Sequence, residues 1–329
     1  MNPLVQPTRM KPRAADQVRS VMTVRTSSKK EATEQSARND WGSLSRLLLS
    51  VVSVHRVTRL GLASATRAVT RQLLLFALAA PGLAAGQTTG VSFPNAVLSS
   101  NESSREISGL LAKPEGAGPF PAVVLLHTCG GIKPHVSNDW PAYLNGLGYV
   151  TLTVDTFGSR GLGPCGNALH PSGPGPKTEA CHEFTRDAYG AFDYLARRPY
   201  VRPDQIAVIG FSLGANAINS YLIHRPRSSS GNFTAAVGVY GRCHDLWGYR
   251  PGSTPLMELA GELDTHHVGA CRAVSPPIEV HILPGAHHSW DSPQASGRTA
   301  GRDFMLYDSN ATEKSRELVK NFLSRHLGK

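Results

Sequence analysis

Gln205-Ile-Ala-Val-Ile-Gly-Phe-Ser-Leu-Gly214 is the stretch on which the fold turns. Its opening, Gln205–Ile209, is a short apolar and β-branched run, the composition of a strand covered on both faces. Residues from Leu213 to about Ile223 read as a helix. Between them lies G-x-S-x-G: Gly210, Ser212 and Gly214. On so tight a strand-to-helix turn, side chains at the two flanking positions would clash, so glycine fills them. The turn exposes Ser212 Oγ and sets the Leu213 N–H at a helix N-terminus, where it can face an oxyanion.

A serine hydroxyl is a poor nucleophile until a base takes its proton, and the base must be held in one tautomer. If the strands continue in parallel, an acid and then a histidine should follow later strands. Gly261-Glu-Leu-Asp264 comes just after the strand candidate Leu256–Ala260. Pro284-Gly-Ala-His-His-Ser-Trp290 comes just after Ile278–Leu283. Asp264 is favoured over Glu262 as the acid; Asp291 is also available but follows the histidines. His287 and His288 are adjacent, and their surroundings do not decide between them. A second oxyanion donor is expected in His127-Thr-Cys-Gly-Gly131, the glycine-rich turn after Ala122–Leu126, with the Cys129 N–H as the candidate. As a second nucleophile Cys129 lacks a base beside it.

Outward from this centre the pattern is strand, loop, helix, repeated. Further strand candidates are Ile107–Ala112, Tyr149–Val154 and Ala235–Tyr240; further helices cover about Glu183–Arg197 and Ala311–Leu327, the last with a capping box at Asn310 and Glu313. This predicts a mostly parallel, twisted α/β sheet with helices on both faces, as one domain over residues 90–329. The long irregular stretch 156–182 is expected to be a lid-like loop.

The net charge of +10 divides unevenly. Residues 1–85 hold 13 Lys/Arg against 4 Asp/Glu, and residues 86–329 hold 21 against 20. The basicity therefore belongs to the leader, and nucleic-acid binding, which needs clustered positive charge on the folded part, is not expected. Residues 1–66 read as a disordered basic extension or a start called too far upstream. At 67–85, a charged segment, the apolar run Leu73–Ala80 and a small-residue end form the three parts of an export signal, too short for a stable membrane span. A periplasmic or secreted protein is expected.

Export suits the five cysteines. Cys165 and Cys181 bracket the Gly/Pro-rich loop, and Cys243 and Cys271 each follow a strand candidate at the same end of the sheet. Both pairs are expected as disulfides, leaving Cys129 as the only thiol. The 13 histidines raise a metal-dependent hydrolase as an alternative, especially His266-His267 and His287-His288. No H-x-H-x-D-H or H-E-x-x-H occurs, so neither a metal nor another cofactor is expected.

Together the HTCGG turn, Val154-Asp-Thr-Phe-Gly-Ser-Arg160, Arg186-Asp-Ala-Tyr-Gly-Ala191, GFSLG, GELD and PGAHHSW resemble the dienelactone hydrolase family of α/β-hydrolases. The resemblance runs from about residue 100 to the end. Its final block, Pro-Gly-Ala-x-His-x-aromatic, implies His288 as the base, Trp290 as the aromatic and Asp264 as the acid. Arg160 matches one carboxylate-binding arginine of the family, so Arg160 and Trp290 are candidate substrate contacts. The departures are Ser212 where the family uses cysteine, Thr128 for a glutamate, and Asp291-Ser292 where an arginine is expected. The resemblance therefore implies an exported serine hydrolase acting on a small ester or lactone rather than on dienelactone itself. A non-catalytic binding protein on the same fold is the other class left open.

Overall fold

The computed structural model describes residues 88–164, 174–224, 231–250, 254–300 and 303–328. Eight strands form one sheet: β1 (Thr88–Pro94), β2 (Glu106–Ala112), β3 (Phe120–Leu126), β4 (Val150–Val154), β5 (Val201–Phe211), β6 (Ala235–Val239), β7 (Leu256–Gly261) and β8 (Glu279–Leu283). Their order is β1-β2-β4-β3-β5-β6-β7-β8. β1, β2 and β4 pair antiparallel, and every pair from β4 through β8 is parallel. The expected α/β fold is present.

Among the described residues, five α-helices accompany the sheet: α1 (Trp140–Gly146), α2 (Pro174–Ala196), α3 (Leu213–Ser220), α4 (Val268–Arg272) and α5 (Ser309–Leu327). Alternation along β3 shows how they are layered. Ala122, Val124 and Leu126 join the apolar cluster that includes α2 and α3, whereas Val123 and Leu125 join the one that includes α1 and α5. Successive side chains of a strand point to opposite faces, so apolar residues at every position of β3 require cover on both sides.

Several boundaries differ from the sequence reading. α2 begins at Pro174, nine residues before Glu183, so the irregular stretch is shorter than 156–182 and Cys181 is helical. Residues 165–173, the middle of the expected lid, lie outside the described residues, as do 1–87 with the expected export signal. α5 is capped by Asp308, whose side chain accepts from the Ala311 N–H, and not by the expected Asn310–Glu313 box. A small hairpin, β9 (Arg298–Ala300) and β10 (Asp303–Met305), was not expected; Met305 bridges to the backbone of His288.

Candidate active site

Ser212 follows β5 directly and precedes α3, with φ 52° and ψ −107°. That left-handed backbone is costly for a residue with a Cβ and persists only where its surroundings enforce it. The enforcement is steric. A Cβ on Gly210 would lie 2.4 Å from the Gly214 carbonyl carbon, and one on Gly214 would lie 2.5 Å from Leu126 O. With both glycines in place the turn closes against β3, and the Ser212 N–H donates to Val239 O at 2.9 Å.

His288 lies five residues beyond β8 and Asp264 three beyond β7, so all three groups gather at the C-terminal ends of parallel strands, where open α/β sheets bind ligands. His288 Nε2 is 3.0 Å from Ser212 Oγ, and His288 Nδ1 is 2.7 Å from Asp264 Oδ2. Asp264 and His288 are both buried. A buried carboxylate on Nδ1 fixes the proton there and leaves Nε2 to accept from the serine.

The alternatives weighed on sequence are turned elsewhere. Glu262 is exposed and accepts from the Gly285 N–H at 3.0 Å. The His287 ring packs edge-on against Phe304 at 5.0 Å. Asp291 is buried, but its two oxygens accept from Tyr240 Oη at 2.9 Å and Trp140 Nε1 at 2.7 Å. Through Tyr240 it backs His288, because the Tyr240 ring sits 4.9 Å from the His288 ring. Burial and the neighbouring Asp291 carboxylate push the Tyr240 phenol well above its usual range, so it remains a donor.

The glycine-rich turn after β3 is ordered by Thr128. Its Oγ1 accepts from the Gly130 N–H at 3.1 Å, and its carbonyl from the Gly131 N–H at 3.0 Å. His127 beneath it is fully buried between Phe157 and Phe184, and burial pulls its imidazole down to about 4, so the ring is neutral. Leu213 opens α3, and a first-turn N–H has no carbonyl one turn earlier to bond.

Arg160, an expected substrate contact, is ion-paired within the fold. Its guanidinium binds Asp187 at 2.7 and 3.0 Å, Thr156 O at 2.7 Å, and Glu183. Two carboxylates on α2 therefore hold the charge that a substrate anion would need. Trp290, the other expected contact, is fully buried, with its ring edge-on to Tyr240 at 4.9 Å.

The cysteines are redistributed. Cys243 and Cys271 form the expected disulfide. Cys181 is a buried thiol, because its place on α2 turns it into the core and not toward the loop. Cys129 is disulfide-bonded, so it is not the remaining thiol. Cys165 lies outside the described residues.

Sequence reasoning missed a second histidine–carboxylate pair beside the first. His267 Nε2 is 3.5 Å from Asp303 Oδ1, and the His267 ring is 5.5 Å from that of His288. Burial raises the Asp303 carboxyl, but the hydrogen bond from His267 and the fields of His288, His267 and His266 outweigh it and hold the group below its usual range. The hairpin that carries Asp303 gave too short a signal to be read as strands.

A serine on a strained strand-to-helix turn, with its partners after two later parallel strands, defines an α/β-hydrolase. The chain belongs to the dienelactone hydrolase family, whose model matches residues 107–327. It is a hydrolase of that family. Solved structures share the fold at low identity. A dienelactone hydrolase from Anabaena variabilis is 19% identical with a TM-score of 0.51, covering 74% of this chain and 99% of its own. A dienelactone hydrolase-like promiscuous phosphotriesterase from metagenomic libraries is 20% identical with a TM-score of 0.51, covering 73% and 99%. No curated protein matches the chain in sequence.

Proposed function

We propose that the chain is a serine hydrolase cleaving a carboxylic ester or lactone through an acyl-enzyme on Ser212. The observation that carries this reading is the unbroken hydrogen-bond chain from Ser212 Oγ through His288 to Asp264. Ser212 Oγ attacks the carbonyl carbon as its proton passes to His288 Nε2. The imidazolium that forms is stabilised by Asp264. The Leu213 and Cys129 N–H groups receive the developing oxyanion. His288 then returns the proton to the leaving alkoxide, and a water deprotonated by His288 releases the acid.

The protein is further proposed to act outside the cytoplasm. The charged, apolar and small-residue segments at 67–85 support this, and so does the Cys243–Cys271 disulfide, since such bonds persist in oxidising compartments. Fractionation with N-terminal sequencing of the mature chain should find a start near residue 85; a cytosolic chain retaining its leader contradicts export.

Hydrolysis of short-chain nitrophenyl esters and of small lactones tests the reaction. The wild-type chain should turn them over with a burst of one nitrophenol per site, and Ser212→Ala should lose about 10⁴-fold or more in kcat. Undiminished turnover in Ser212→Ala would place the nucleophile elsewhere. Absence of both turnover and burst would favour a binding protein on this fold.

A further inference from the structure

We propose that Asp264, His267 and His288 form a site for a borderline divalent cation of the zinc or copper class, which silences the triad when bound. One donor atom from each of these residues lies within 4.8 Å of the other two. Asp264 and His288 are buried, and the His267 side chain is 12% exposed. Two imidazoles and a carboxylate are a donor set for Zn²⁺ or Cu²⁺ and a poor one for Mg²⁺ or Ca²⁺, which favour all-oxygen shells.

His267 carries the argument, because the proposed hydrolysis gives it no task. Its Nε2 faces Asp303, and its Nδ1 is buried with no hydrogen-bond partner among the described residues. A buried polar atom in that condition carries a desolvation cost. The Asp303–His267 pair also has the form in which metal-binding histidines are held, one ring nitrogen on a carboxylate and the other directed to the ion. His267 is the N-cap residue of α4, and Asp264 lies three residues before it on the same turn. The Asp264 carbonyl accepts from the His267 N–H at 3.0 Å, which sets the spacing of the two side chains.

The donors are not spaced for an ion as they stand. Tetrahedral bonds of about 2.1 Å require donors roughly 3.4 Å apart. Asp264 and His288 must open from 2.7 Å, and His267 must close in. That motion is what makes the site inhibitory. An ion taken by His288 Nδ1 displaces the proton shared with Asp264, which is released to water; one taken by Nε2 displaces the Ser212 hydroxyl. Either way the base is withdrawn. Binding stands independently of the catalytic reading, and only the silencing rests on it.

The test is calorimetric titration of the full chain with Zn²⁺, alongside His267→Gln, Asp303→Asn and His266→Gln. The wild-type chain should bind one tight ion. His267→Gln should weaken it about tenfold or more, Asp303→Asn should weaken it less, and substitution of exposed His266 should leave it unchanged. Melting in EDTA identifies a misfolded His267→Gln, in which case Asp303→Asn decides. Equal Zn²⁺ affinity in wild-type and His267→Gln, or no tight ion in the wild type, overturns the site. In parallel, Zn²⁺ should suppress ester turnover of the wild type reversibly by EDTA, and His267→Gln should need about tenfold more. Tight binding with full activity overturns the silencing. A chain inactive even in EDTA but binding Zn²⁺ refutes the ester reading and leaves the site intact.

Discussion

At the scale of single residues, the chemistry depends on which of several neighbouring carboxylates and imidazoles face Ser212. Asp264 holds His288 Nδ1, while Glu262 accepts a backbone N–H at the surface. Asp264→Asn should therefore lower kcat for ester hydrolysis by about 10⁴-fold, through loss of the correct tautomer. Glu262→Gln should remain near wild type, and a comparable loss in it would mean the acid is misassigned. His287→Gln, which touches Phe304 and not the serine, should likewise keep its turnover. The glycines around Ser212 were legible in the sequence because the need for them is local. The choice between His287 and His288 was open on local grounds, since two adjacent residues share every neighbour in sequence; only the family's register pointed to His288. The ion pairs of Arg160 were hidden for a different reason: its carboxylate partners lie 23 and 27 residues further on, beyond the reach of any local pattern.

At the scale of elements, long periodic segments were readable and short ones were not. β3, β5 and α5 have enough apolar pattern to declare themselves. α1, α4 and the β9–β10 hairpin are decided by tertiary contacts that no window of sequence contains. That loss mattered, because α4 and the hairpin bring His267 and Asp303 to the site. The Cys243–Cys271 disulfide ties the turn after β6 to α4, closing a loop of 28 residues. The chain-entropy model assigns about 3.5 kcal/mol to such a closure. Cys271→Ser should lower the Tm by several degrees. Its kcat should fall far less than that of Asp264→Asn, since Asp264 is also held by backbone bonds to Gly261, His267 and Val268. A kcat loss as large as the Asp264→Asn value would show that the bridge, and not the backbone, positions the acid. Alkylation of the denatured, unreduced chain should spare Cys129, Cys243 and Cys271; modification of any of the three would refute the bonding described.

At the scale of the whole molecule, a sheet covered on both faces leaves its parallel C-terminal edge as the place where chemistry can gather, and it also traps Glu258. That side chain lies on β7, one strand in from the sheet edge, fully buried, and burial pushes its carboxyl up to about 8 from 4.5. From pH 4.5 upward the unfolded chain ionises this group while the folded chain keeps it neutral. Stability is accordingly lost between pH 4.5 and about 8, by ~1.4 kcal/mol for each unit of pH. Glu258→Gln should raise the Tm relative to wild type, with the gain growing from about pH 5 to about pH 8; a gain independent of pH would mean Glu258 ionises in the fold. The account as a whole rests on Ser212. Its most direct measurement is the intact mass of the full chain after exposure to a serine-directed fluorophosphonate, followed by peptide mapping. One adduct should appear, on Ser212, and it should vanish in Ser212→Ala and form far more slowly in His288→Ala. An adduct at another residue, or none in a chain that still hydrolyses esters, would contradict the account.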